Sequence, residues 1–247
     1  MRHPLSVALV SGLLALASLA NPLPGQAATT TPFSRRLEQA LNTPASGDLN
    51  RLLAGEQAAE IMSRYRSFSA RFPDARWRVT AAKPLRDGRP TLEIAVTGNR
   101  ELGGLRYALE ASQRLALQRQ GAQVTGEQII SEQSVLRTVS KPLPISLLIP
   151  DAVLTGSRYD VDVVVDQPLG DAIVAGGLIA LTPATLQSQE MPPIQLSPLG
   201  GGGLFKSVQA PFQPGVQNWA ALLVHPDGVI AVTKRVRVVE DQADLNL

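Results

Sequence analysis

Residues 58–81 read AAEIMSRYRSFSARFPDARWRVTA, and the apolar spacing changes within them. Ala58, Ile61, Tyr65, Phe68 and Phe72 recur at intervals of three and four, which predicts one apolar stripe along a helix. Pro73-Asp74 ends it. From Trp77 the interval is two. Trp77, Val79 and Ala81 alternate with Arg76, Arg78 and Thr80, the pattern of a strand with one buried face.

Upstream, Ser34 can cap a short helix through Leu41, which Thr43-Pro44 ends, and Ser46 or Asp48 can start the next helical stretch. Downstream, Pro84 to Pro90, with Asp87-Gly88, reads as a turn. Leu92, Ile94 and Val96 alternate as a second strand, and Gly98 to Gly104 is expected to turn the chain. Leu105 to Leu117 is apolar at odd positions apart from Gln113, so a strand is expected, with a helix as the rival because helix formers abound. Gly121 leads into a fourth strand over Val124–Leu136. Residues 33–140 are thus expected to form an α+β domain, N-terminal helices packed on a four-stranded antiparallel meander.

Lys141-Pro142-Leu143-Pro144 reads as a stiff linker. Short strands follow at about 145–149, 158–165, 172–181, 204–210, 216–224 and 229–239, with His225-Pro226-Asp227-Gly228 as a tight turn. This predicts an all-β sandwich over residues 145–240 and a tail at 241–247. Residues 182–203, with four prolines and Gly200–Gly203, are expected to form one long loop.

The 247 residues include no cysteine and two histidines. That composition excludes thiol catalysis, iron–sulfur clusters and thiolate zinc sites. Met1-Arg2-His3, the apolar run Leu5–Ala20 and Gly25-Gln26-Ala27 read as a secretory signal peptide over residues 1–27, with cleavage expected after Ala27 or Ala20 and a retained N-terminal membrane anchor as the rival reading. Residues 28–32 would then be a flexible stub, and no membrane span is expected in the mature chain. Residues 28–141 carry 17 Lys/Arg against 11 Asp/Glu, and residues 142–247 carry 5 against 10. The halves differ in sign, as two separate domains would.

The element order over residues 33–138 resembles the NTF2-like or cystatin-like cone, a curved sheet wrapped around N-terminal helices. Enzymes of that fold carry acid–base residues inside the cone. The expected inward rows here are Trp77/Val79, Leu92/Ile94/Val96 and Leu105 to Leu117, with Tyr107 and Gln113 as polar groups, so that chemistry is not carried over. The closing hairpin, Gly215–Val239, resembles the last two strands of an immunoglobulin-like domain; the Cys–Trp–Cys set is absent, so the resemblance implies architecture alone. Phe72-Pro73-Asp74-Ala75-Arg76-Trp77, Ile149-Pro150-Asp151-Ala152-Val153-Leu154-Thr155-Gly156 and Gly203-Leu204-Phe205-Lys206-Ser207 are similar to segments of an uncharacterised exported protein family of cyanobacteria.

Several groups are candidate sites. Tyr107, Gln113 and Trp77 would line a small-ligand pocket, or Tyr107 and Gln113 would share a buried hydrogen bond. Arg64, Arg71, Arg76 and Arg78 fall in one arginine-rich stretch that suits a polyanion, or form solvated faces. Asp160 and Asp162 project from one face of a strand, where carboxylates could hold Ca²⁺ or simply face water. Gly200–Ser207 lacks the glycine a phosphate loop needs before its lysine. His225 is expected to be exposed in its turn, and no nucleophile elbow exists to use it. No catalytic set, cofactor or nucleic-acid partner is implied. The expectation is an exported, non-catalytic binding module of the periplasm, cell exterior or thylakoid lumen, with another envelope protein or an anionic envelope polymer as partner. The alternative is a small-ligand carrier or minor enzyme using the cone interior.

Overall fold

The computed structural model describes residues 30–53, 58–120, 123–138, 143–168, 172, 174–188 and 192–247. The expected leader, the Gly121 turn and the first half of the linker, residues 141–142, lie outside them. The chain forms two compact units. One holds the described residues up to Asn99 together with Glu110–Ser131 and Leu247; the other holds Arg100–Leu109 and Glu132–Asn246.

The first unit opens with helix α1 (Thr30–Asn42), a 3-10 turn (Pro44–Ser46), α2 (Asp48–Leu52) and α3 (Ala58–Arg71). Helix α1 starts at Thr30, so residues 30–32 of the expected stub belong to a helix, which the buried stripe Phe33, Leu37, Ala40 and Leu41 anchors. On α3 the buried residues are Ile61, Tyr65 and Phe68, the stripe read from the spacing. Their rings meet Trp77 on β1 (Arg76–Ala82): Tyr65 and Phe68 lie 6.1 and 5.2 Å from it, centroid to centroid. Such tilted and edge-on pairs add stability beyond the area they bury. The Tyr65 hydroxyl donates to the Leu41 carbonyl at 2.6 Å, tying α3 to the end of α1. Burial pushes that phenol above its ordinary pKa, and a hydrogen bond with Ser69 partly opposes the shift.

Strand β1 pairs antiparallel with β2 (Thr91–Leu102), setting Trp77 opposite Val96, Val79 opposite Ile94 and Ala81 opposite Leu92. Then follow β3 (Leu105–Gln120) and β4 (Gln123–Thr138). The Leu105–Leu117 segment is therefore a strand. The expected turn over Gly98–Gly104 shrinks to Gly103-Gly104, both at positive φ (61° and 78°), as a two-residue hairpin requires. Gly98 serves a different purpose: a Cβ there would lie 3.3 Å from the Phe72 Cβ, so the glycine lets α3's end approach the strand. Leu105, expected to face inward, is exposed at the hairpin tip.

The second unit adds β5 (Ile145–Leu148), β6 (Ala152–Leu154), β7 (Arg158–Asp160), β8 (Asp162–Val165), β9 (Ala175–Leu181), α4 (Pro183–Ser188), β10 (Ser197–Pro198), β11 (Gly203–Leu204), β12 (Ser207–Gln209), β13 (Gly215–His225) and β14 (Gly228–Val239). The region expected as one long loop thus holds α4 and β10. Thr182 initiates α4, its hydroxyl accepting the Thr185 N–H at 3.2 Å.

Strand β4 does not end a closed meander. Residues 132–137 pair antiparallel with 230–235 of β14, and hydrogen bonding runs in the order β1-β2-β3-β4-β14-β13-β9-β10, with β6 parallel on β14. Within the second unit this sheet shares one core with two smaller ladders, β11-β8-β5 and β12-β7. Val161, Val163 and Val165 from one side meet Val135, Ala221, Leu223, Val232 and Val236 from the other. The chain is sheet-rich, with few helices and a β-rich C-terminal region.

Candidate functional site

Strands β13 and β14 decide what lies inside the second unit. Their register sets Trp219 opposite Lys234, Ala221 opposite Val232 and Leu223 opposite Ile230. The inward row of β14 is Ile230, Val232, Lys234, Val236 and Val238, so a lysine occupies an otherwise apolar row. Its side chain is 7% exposed, and its ammonium is paired with the Asp151 carboxylate and reaches Gln133 Oε1 at 3.4 Å. A buried cation without such partners would be strongly unfavourable.

Trp219 beside it donates from Nε1 to the Tyr159 hydroxyl at 3.0 Å, and Tyr159 donates to Gln217 Oε1 at 2.6 Å. Burial raises the Tyr159 pKa, against the hydrogen bond from Trp219, which lowers it. The Lys206 ammonium stands 5.6 Å from the Trp219 ring centroid. Buried Lys234, Trp219 and Tyr159 thus each have a polar partner at the edge of the core. Sequence reading passed over Lys234, although a lysine in register with four aliphatic residues was a visible signal.

The outer face of the smaller ladders is different. Asp160 and Asp162 share it, as expected. The Asp160 carboxylate accepts the Ser207 hydroxyl, and Asp162 Oδ1 accepts the Lys206 N–H at 3.2 Å. Among the described residues no group of three or more His, Cys, Asp or Glu side chains is placed to hold a metal ion. Phe205 (62% exposed), Leu148 (59%) and Phe212 (79%) leave large apolar surfaces in water.

The remaining candidates separate. Trp77 is buried in the aromatic cluster of the first unit. Tyr107 and Gln113 are buried on β3, but six residues of strand span about 20 Å, so they share no hydrogen bond. The Tyr107 hydroxyl has no hydrogen-bond partner and almost no solvent-accessible surface. Burial raises its pKa, against a lowering contribution from Arg100.

Arg64 pairs with Glu60, and Arg71 Nε donates to the Ser67 carbonyl at 3.2 Å, with burial lowering its pKa. Both side chains are thus engaged within α3. Arg76 and Arg78 stand exposed, two residues apart on β1. His225 is partly buried rather than exposed; its Nδ1 accepts the Asp227 N–H at 3.0 Å, which closes the turn.

Residues 140–239 match the family model DUF8623, a domain of unknown function. No curated protein matches the chain. The matched segment contains Lys234, Trp219, Tyr159, both aspartates and the three exposed apolar side chains. No helix among the described residues is long and apolar enough to cross a membrane.

Proposed function

We propose that the chain is an exported, non-catalytic interaction module of the cell envelope, with an NTF2-like helical unit and an immunoglobulin-like sandwich. The leader sequence supports export, and α1–α3 beside β1–β4 and the closing β13–β14 hairpin support the two architectures. One observation carries the interaction reading. The large apolar side chains left exposed among the described residues, Leu105, Leu148, Leu196, Phe205, Phe212 and Val216, all belong to the second unit. Contiguous exposed apolar surface marks interaction sites, and Phe205 and Leu148 flank Asp162 in one outward row of the smaller ladder. Buried Lys234, Trp219 and Tyr159 of that unit, by contrast, are engaged with polar partners.

A small-ligand carrier using Tyr107 would need its hydroxyl uncovered, and that atom is sealed from solvent. Cross-linking capture from the native envelope, with the full chain as bait, tests the module. Recovery of one defined partner that Phe205→Ser and Phe212→Ser together abolish is expected. Identical recovery with that variant, or none at physiological salt, overturns it.

A further inference from the structure

A strand at the end of a hydrogen-bonding order presents unpaired N–H and C=O groups, a template for another chain. Among the described residues those ends are β1, β5, β7, β10, β11 and β12. The Asn42 and Glu38 side chains occupy the edge of β1. Strands β7, β10, β11 and β12 are two or three residues long, with Pro198 in β10 and the charged Arg158 and Asp160 in β7. Strand β5 has four residues, and no charged side chain lies between Leu143 and Pro150.

Hydrogen-bond parity fixes which groups face outward from β5. The Asp166 N–H donates to the Pro144 carbonyl at 3.0 Å, while Ser146 and Leu148 pair with Val164 and Asp162. Bonds of an antiparallel ladder fall at alternate residues, so residues 144, 146 and 148 bond to β8. The far side of β8 keeps the same phase: the Val161 and Val165 N–H groups donate to the Lys206 and Gly202 carbonyls. The main-chain groups of Ile145 and Leu147 therefore point away from the sheet, two residues apart. Their side chains pack on the core of the second unit, and Leu148 is exposed on the outer face.

A strand added here must be extended, uncharged and apolar on its inner side, with a donor and an acceptor at every second residue. Strand β5 meets each requirement itself. Antiparallel pairing about a two-fold axis through Ser146 sets Ile145 of one copy opposite Leu147 of the other. Each of the two such pairs exchanges two hydrogen bonds. The same register sets Leu148 beside Pro144 of the second copy, which covers part of its exposed surface.

We propose that β5 is a dimerisation edge, pairing antiparallel with β5 of a second copy so that two small sheets become one. The proposal goes beyond the module reading, which Phe205 and Phe212 carry, and does not depend on it. Two four-residue strands bury less than the roughly 1,200 Å² of a stable complex, so the dimer is weak, with a Kd on the order of 10–100 μM.

Sedimentation equilibrium of the full chain, over concentrations spanning that Kd, tests it. A monomer–dimer equilibrium is expected. Leu147→Pro removes an N–H that β8 does not use, and should weaken the dimer by about tenfold or more. Proline also replaces a partly buried side chain, so a second pair of variants tests the register directly. Ser146→Lys and Ser146→Asp each set like charges opposite one another in the dimer and should leave monomers. Their equimolar mixture should dimerise at least as tightly as the parent chain. Unfolding midpoints matching the parent confirm that both variants fold.

A parent chain that stays monomeric overturns the proposal, as does a dimer that these variants leave intact or a mixture that fails to restore it. A different protein captured from the envelope and lost with Leu147→Pro, while the parent chain stays monomeric, would assign the edge to a foreign strand and likewise overturn it.

Discussion

Asn42, the last residue of α1, bonds to Trp77 of β1 as a neighbouring strand would. Its Oδ1 accepts the Trp77 N–H at 2.9 Å, and its Nδ2 donates to the Trp77 carbonyl at 2.7 Å. Four residues earlier, Glu38 Oε2 accepts the Val79 N–H at 2.7 Å. Strand β1 begins the order of the large sheet, so these backbone groups would otherwise face outward as a template for another chain. Two helical side chains at i and i+4 close that edge.

Asn42→Ala should therefore cost about 1–3 kcal/mol, since it leaves a part-buried N–H and carbonyl unpaired. Asn42→Asp keeps the acceptor and loses the donor, and should fall between the two. Urea unfolding measures both. An unchanged midpoint for Asn42→Ala would mean that water replaces the side chain without loss.

Asp74 gives a pH signature to the same unit. Hydrogen bonds from the Asn99 backbone and side chain, both 2.8 Å, hold its carboxyl below the ordinary aspartate pKa, with a smaller contribution from Arg76. A depressed folded-state pKa contributes stability above the unfolded value near 3.8 and loses it as pH falls through the folded value. Asp74→Asn should lower the thermal midpoint modestly at neutral pH, because the carboxyl is exposed, and the difference should fade in acid. A difference that persists at low pH would place the effect in packing rather than charge.

Lys234 and Asp151 predict an asymmetry. Asp151→Ala leaves a buried ammonium with only the distant Gln133 oxygen and should cost about 2–3 kcal/mol, toward the lower end for broken buried pairs because Asp151 is half exposed. Lys234→Met replaces the cation with an apolar chain of similar length among Val232, Val236 and Trp219, and should cost less. Denaturant unfolding of the two variants decides the order. The reverse order would show that the lysine's hydrogen bonds outweigh its desolvation.

What sequence could reveal divides along physical lines. The change of period at Trp77 was legible because both the α3 stripe and the β1 alternation lie within one contiguous stretch. The pairing of β4 with β14 was not, since alternation states which face is buried and is silent about which strand lies alongside. Gly98 misled for a similar reason: a glycine that admits Phe72 has the same spelling as one that turns the chain. Asp160 and Asp162 were correctly placed on one face by parity alone. Phe205 and Leu148 could join them only through a three-strand register, which no local pattern encodes. On β14 the phase is ambiguous, because Val229 and Ala231 are apolar on the face opposite Ile230, Val232, Val236 and Val238, so the apolar pattern alone does not show that Lys234 lies in the inward row.

The glycine run before Phe205 supplies the last prediction. A Cβ on Gly203 would lie 2.4 Å from the Val163 carbonyl oxygen and 3.0 Å from the Val164 Cα, whereas one on Gly201 would meet nothing within 4 Å. Backbone atoms of the paired strand cannot yield as the end of a side chain does, so Gly203 is needed for β11 to close on β8. Gly203→Ala should destabilise the chain by about 1–3 kcal/mol, the usual cost of overpacking a tight contact. Gly201→Ala should be neutral or slightly stabilising, through lower entropy of the unfolded chain. Thermal unfolding of the pair distinguishes a strand-packing role from a loop that cradles phosphate. In the second case both substitutions would leave stability alone, and inorganic phosphate would raise the midpoint of the parent chain.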